Sequence, residues 1–471
     1  MRTIIVALVL LLPMGICAQE ESVLEQWEAT LSYGIDSEVA DLVDQISAHG
    51  TGRFDDSLAS RFADTRSSEL RIAILDYFSE KESSRLSAAA RALVLSEEPI
   101  GDDLLRGCVT YLSRVVEDDS AELLERYREI ARDQAVLIAT IAIDAIGRHG
   151  SADVPDALIE LYGDVESDDA KASVLRALGE TGSNGVVEFL TNIAVDEYEI
   201  SLFRQQAAMS LGKIGAAESQ ETLTELLNSE DSVLRAYVIQ ALGYYSNDEA
   251  ATVLVDALRD SFWRVRVAAL QGLGEQGDVA AVPAIAYKAR RDPEAPVRQA
   301  AIATLGSIGG EEADRVLREI AVDVRTGEAL RIQALEVLSE SDLASSVDLL
   351  TEVAEAEWER EGSRLLDAVS RIVSRSEDPA VGPLIDRLFQ HPNYIIRIYA
   401  IRAMGRNGLT TYEDELTAIA DENTTGIMRT TALATLELLG IEYVPADQRE
   451  EPDELPSDEP RQEPEEQLRD D

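Results

Sequence analysis

The chain has 471 residues, 90 of them Asp or Glu and 42 Lys or Arg, for a formal charge of −48. That balance argues against nucleic acid, whose phosphates need clustered Lys and Arg, and against an anionic membrane surface for the same reason. Cys17 and Cys108 are the only thiols, so neither a disulfide framework nor a Cys-based zinc site can be built.

The first feature is the unbroken apolar run Ile4–Leu12, preceded by Arg2 and followed by Pro13-Met14-Gly15, which should break it. Ile16-Cys17-Ala18 puts Ala at the last position of a signal-peptidase site. Residues 1–18 are therefore expected to be a signal peptide and Gln19 the mature start, in a bacterial protein exported to the periplasm or cell envelope. Cys17 supports a rival reading as a lipidated cysteine that tethers the mature chain, although Ile16 stands where a small residue is usual. Nine apolar residues cannot cross a hydrocarbon core of ~30 Å, and no later stretch reaches ~20, so no membrane insertion is expected.

From residue 19 to 444 the chain repeats itself. A basic residue opens an apolar helix that closes on a small-Leu-Gly step, as in Arg204–Gly212, Arg235–Gly243, Arg266–Gly274 and Arg298–Gly306. Twelve such anchors, from Arg71 to Arg429, are separated by 31 to 34 residues, and a degenerate thirteenth copy begins near Val39. Counted from the anchor, apolar or small residues fall at −1, +3, +4 and +7, the helical period. Glycine at +8 and near +11, as in Gly212 and Gly215, is expected to end that helix. A second amphipathic segment precedes each anchor, with Pro155, Pro283 and Pro383 near the starts of three of them. No alternating pattern competes, so the fold is expected to be all-α, a solenoid of about 12–13 stacked helix pairs.

The pattern, best seen in Val265–Gly277 and Val297–Gly309, resembles the HEAT-repeat family, specifically its short variety named after the phycobilisome lyases. The resemblance covers roughly residues 36–440. It implies a right-handed superhelix whose second helices line a concave face, and a protein partner bound along that face. Some relatives are enzymes. The iron-binding hydroxylase branch holds its metals with His-Glu pairs, whereas here His49 and His149 precede Gly and His391 precedes Pro. No metal site and no cofactor are expected. Three His and one mature Cys leave no nucleophile–base grouping to propose, so no catalytic residue is assigned, and Cys108, at +3, is expected in the core.

Asp133, Asp260 and Asp292 each stand six residues before an anchor. They are expected to cap helices and to pair with anchor arginines in a ladder between repeats, as the resemblance implies. If positions +1 and +5 point away from the packed side, those 24 positions carry three Arg and three acids, a net charge of zero, while residues 19–444 carry −40. A neutral, partly apolar inner row suits a protein segment. Val267, Ile332, Leu366 and Ile398 are its candidate apolar contacts, with Arg176 and Arg402 beside them and Trp263 and Tyr394 as aromatic ones. The other reading of these residues is that they are buried.

Two further classes stay in view: a lyase-like or cofactor-handling enzyme, and a calcium- or salt-dependent structural element of the envelope. For calcium the only cluster is Asp164-Val-Glu166-Ser-Asp168-Asp169, which lacks the Gly and Glu spacing of an EF-hand. The chain closes with residues 445–471, which hold 12 acids, three Arg and five Pro and almost nothing to bury. This acidic tail is expected to be disordered.

Overall fold

The computed structural model of the protein describes residues 12–115, 120–133, 135–149, 151–421 and 426–448. Among them are 26 α-helices and no strand, arranged in sequence as thirteen pairs. Every anchor from Arg71 to Arg331 stands fourth in the second helix of its pair, as in Ser68–Glu80 and Trp263–Gln276. Val39 stands fourth in Asp36–His49, which makes the degenerate copy a full repeat.

The chain divides into two compact units, residues 1–284 and 285–471. In the first, second helices from Asp36–His49 to Trp263–Gln276 form a row, each packed on the next, and each first helix lies against its own partner. In the second unit the row runs Ala295–Ile308, Glu328–Ser341, Arg364–Arg375, Tyr394–Arg406 and Ile427–Leu438. The predicted positions carry the core. In Ser201–Ile214, Phe203, Ala207, Ala208 and Leu211 are at most 2% exposed, and Leu234, Val238, Ile239 and Leu242 repeat this in Ser232–Leu242. Burying each large aliphatic side chain contributes about 1.5–3 kcal/mol.

The two glycines of the motif do different jobs, and the expectation that both end the helix is corrected. Gly215 does end it, with φ 70°. Gly212 lies inside the helix, where a Cβ would sit 2.5 Å from the carbonyl oxygen of Ala241 and 2.6 Å from its Cα. The +8 glycine is therefore a point of close approach between neighbouring second helices. Periodicity cannot reveal this, because the contact is with a residue 29 positions away.

The anchor arginines are structural. Arg71, Arg204, Arg331 and Arg429 each donate through Nε to a carbonyl near the end of the preceding first helix, at Phe62, Ala194, Ala321 and Ala420. Arg235, Arg266 and Arg298 reach through Nη1 to loop carbonyls at Ser229, Asp260 and Asp292. Both arrangements satisfy carbonyls that a helix end or tight loop leaves without partners. The ladder pair forms at Arg235–Asp260, 2.9 Å apart. Asp292 is buried and lies 3.4 Å from Lys288, one turn before it, and Asp133 lies exposed with no such partner among the described residues.

At the N-terminal end, helix Leu12–Tyr33 runs through Pro13, Gly15 and Cys17, so the expected break at Pro13–Gly15 is not seen. Proline in a first turn forfeits no internal hydrogen bond, which is why it fits there. Residues 1–11 of the expected leader and residues 449–471 of the tail lie outside the described residues. Of the tail's first four, Ala446–Gln448 form one 3-10 turn.

Candidate partner-binding cleft

Three of the eight sequence candidates meet at one place in the second unit. Ile332 from Glu328–Ser341, Leu366 from Arg364–Arg375 and Tyr394 from Tyr394–Arg406 line a cleft of about 910 Å³. Successive second helices bring them together because the residues occupy equivalent turns of neighbouring helices in the row. Ile395 joins them, 42% exposed beside Tyr394 at 55%. Leu366 itself is 2% exposed, so it forms the floor and not a projecting contact.

The rim comes from two loops. Residues 357–363 are held down by Glu357, which is buried and lies 3.6 Å from the equally buried Arg331. The Ser363 hydroxyl donates to Glu357 at 2.8 Å and accepts from the Leu366 N–H, so one side chain fixes the loop and caps the next helix. Arg360 continues the network to Glu357 at 3.2 Å and Glu328 at 2.9 Å. On the second loop, His391 accepts from the Asn393 N–H at Nδ1, which leaves Nε2 to donate to the Trp358 carbonyl at 3.1 Å. The Trp358 ring lies between His391, edge-on at 4.6 Å, and the Arg387 guanidinium at 4.5 Å.

This chemistry suits recognition. Both His391 nitrogens and the Ser363 hydroxyl are committed to holding loops, so neither residue is free to act as base or nucleophile. Three Arg and four acids line the cleft, which makes its charge mixed. An apolar floor with an exposed Tyr and a mixed polar rim is what buries a protruding side chain of a protein segment. Among the described residues no group of three or more His, Cys, Asp or Glu is placed to hold a metal, and no helix is long and apolar enough to cross a membrane.

The remaining candidates lie elsewhere. Ile398 is 6% exposed and belongs to the core, which corrects the expectation that it projects. The same row position is half-buried at Ile332 and Val267, because the room at +1 depends on how close the neighbouring helix comes. Val267, Trp263 and Arg176 belong to the first unit. Trp263 is half-buried under the Arg264 guanidinium at 5.3 Å, and Arg176 pairs with Asp144 at 2.9 Å. Arg402 lines a different groove, with Arg371, Arg375 and Arg406. Trp358, His391 and the buried Glu357 were not anticipated. The 34-residue interval between anchors 331 and 365, longer than most, marks the loop that carries two of them.

No curated protein matches the chain at a significant level. Among solved structures it is similar to the karyopherin Kap121p, with 14% identity and a TM-score of 0.43 over 85% of this chain and 49% of that one. The chain thus spans about half the length of that protein, which has also been solved bound to Nup53p. Human deoxyhypusine hydroxylase is similar over 54% of this chain and 96% of its own, at 18% identity and a TM-score of 0.25. The Escherichia coli protein YibA is similar over 55% and 94%, at 18% and 0.38. The family model described as Spirochaete HEAT repeat protein matches residues 31–435, nearly the whole described chain. With thirteen helix pairs in which the motif residues take matching positions, the chain belongs to this family of HEAT-repeat proteins.

Proposed function

We propose that the protein is an exported, non-catalytic scaffold that binds a protein partner through the second helices of its C-terminal unit, with the cleft at Ile332, Leu366 and Tyr394 as the recognition point. The observation that carries this reading is the cleft itself, where Tyr394 and Ile395 stand exposed over an apolar floor while Ser363 and His391 are already engaged in holding the rim loops. Large side chains left in water over a formed pocket are the residues that bind most strongly when a partner covers them. Export is supported by Ile4–Leu12 and the Ala18 site, with lipidation at Cys17 as the alternative processing.

The test is crosslinked capture from the envelope fraction of the host, with the intact chain beside an Ile332→Asp/Tyr394→Asp variant. Both positions are partly open, so the variant should fold. One discrete protein captured by the first and lost with the second is the expected result. Equal capture by both would remove the cleft from the reading, and metal or pigment retained through purification would favour the lyase-like class instead. The mass of the mature N-terminus then separates a start at Gln19 from a lipidated Cys17.

A further inference from the structure

Next to the cleft, and sharing Arg371 with it, the second unit carries a groove of about 650 Å³ whose charge is opposite to that of the chain as a whole. Arg371 and Arg375 stand one turn apart on Arg364–Arg375, and Arg402 and Arg406 stand one turn apart on Tyr394–Arg406. Four guanidinium groups thus face one groove that no acid lines. Arg371 is balanced by Glu336 at 3.1 Å and Asp367 at 3.5 Å. Arg375, Arg402 and Arg406 are exposed and have no ion-pair or hydrogen-bond partner among the described residues. In a protein with more than twice as many acids as bases, three adjacent arginines without carboxylates are a concentrated exception. The far wall is Ile427–Leu438, which adds Thr430, Thr431 and two largely exposed apolar residues, Ile427 and Leu438.

We propose that this groove binds the chain's own acidic tail, residues 449–471. Charge complementarity is the first argument: this segment holds eleven acids and three Arg, and carboxylates are the partners that a guanidinium fork holds in bidentate pairs. Reach is the second. Leu438, on the groove wall, precedes Gln448 by ten residues, so the tail begins within about 36 Å of the groove, and its 23 residues span up to about 80 Å. Tethering raises the local concentration of the tail to the millimolar range, so shallow contacts suffice. Composition is the third. Pro452, Pro456, Pro460 and Pro464 recur every fourth residue and restrict the backbone, which lowers the entropy lost on docking. Leu455, flanked by Glu454 and Pro456, supplies an apolar side chain to lie on Ile427 and Leu438. The inference does not depend on the cleft having a partner.

The experiment uses the full chain with Cys17→Ser, so that spin labels attach only at Glu437→Cys, beside the groove, and Gln467→Cys, in the tail. Electron–electron distance measurements should show a short, narrow population. That population should be lost in Arg375→Gln/Arg402→Gln/Arg406→Gln and in 1 M salt, where screening acts over about 3 Å. An excess of a synthetic peptide of residues 449–471 should displace it as well. A broad distribution already present in the parent chain would overturn the proposal, and so would a short population that survives the triple substitution. Circular dichroism and urea midpoints of the triple variant check its fold. If it does not fold, the salt and peptide arms decide on the parent chain, and a short population unmoved by both overturns the proposal.

Discussion

Arg235 and Asp260 form a two-point pair across adjacent repeats, with Nε 2.9 Å from Oδ2 and Nη2 3.0 Å from Oδ1. Burial alone would raise the Asp260 carboxyl, but the Arg235 hydrogen bonds, the Phe262 N–H and the charges of Arg235 and Arg266 outweigh it and hold the carboxyl below its ordinary range. The geometry is fork to fork, and both side chains are less than a fifth exposed. Such a pair contributes more than a surface ion pair.

Asp260→Asn should therefore cost about 1–3 kcal/mol at pH 7, since it leaves the Arg235 guanidinium half-satisfied. A carboxyl whose folded pKa is depressed contributes stability that is full above its unfolded value and is lost as pH falls through the folded one. The difference between parent and variant should thus shrink from about pH 4 downward. Urea unfolding of both chains at pH 7 and pH 3 measures it, and a difference independent of pH would mean that the pair acts by packing alone.

Gly212→Ala and Gly215→Ala separate the two glycine roles. Alanine in a free helix interior would be favoured by about 1 kcal/mol over glycine. At Gly212 the new methyl meets the Ala241 backbone 2.5 Å away, so we expect a net loss of about 1–3 kcal/mol. At Gly215 the nearest atom is 3.9 Å away and only the φ of +70° opposes the change, for a loss of about 1 kcal/mol. Thermal melts of the two variants should rank in that order.

Tyr394→Ala and Ile398→Ala test which sequence candidates are surface. Ile398 is buried at 6% exposure, and its truncation should cost about 2–5 kcal/mol. Tyr394 stands open to solvent, so its loss should move stability by no more than about 0.5 kcal/mol while still affecting partner capture. Equal unfolding midpoints for the two variants would contradict this division.

The Cys108 thiol is fully buried, and burial pushes it up to about 12 against the opposing charge of Arg71. Thiolate is the reactive form, so a disulfide reagent at pH 8 should leave Cys108 untouched in the folded chain and modify it within seconds in denaturant. Fast labelling of the native protein would place this helix in a locally open state.

Millimolar calcium should not shift the melting temperature. In the acidic loop at 164–169, Asp164 already accepts from Arg132 at 2.8 Å, and the Ser167 hydroxyl caps helix Asp168–Glu180. A calcium ion there would have to take Asp164 from Arg132. A steep rise with calcium would instead support a structural role in the envelope.

The repeat was legible because it is a one-dimensional property. The interval of 31–34 residues, the apolar positions at +3, +4 and +7 and the prolines in first turns are local rules, and helices form where those rules agree. The anchor at position four of so many second helices follows from the same regularity. The cleft was legible only in part. Ile332, Leu366 and Tyr394 could be chosen by register, yet the same register selected Ile398, which is core. The Arg groove escaped because Arg371, Arg375 and Arg406 lie outside the two register positions taken as the inner row.

Thus the amino-acid sequence by itself determined that the chain is a stack of helix pairs, where each pair begins and that the +3, +4 and +7 positions carry its core, since these depend on hydrophobic period and helix termini. Only the tertiary structure decided which glycines are stops and which are contacts, which inner-row residues remain open, and where four arginines from two helices converge. Those outcomes depend on distances between residues some 30 positions apart, set by how closely one second helix lies on the next, and spacing within a single repeat carries no information about that distance.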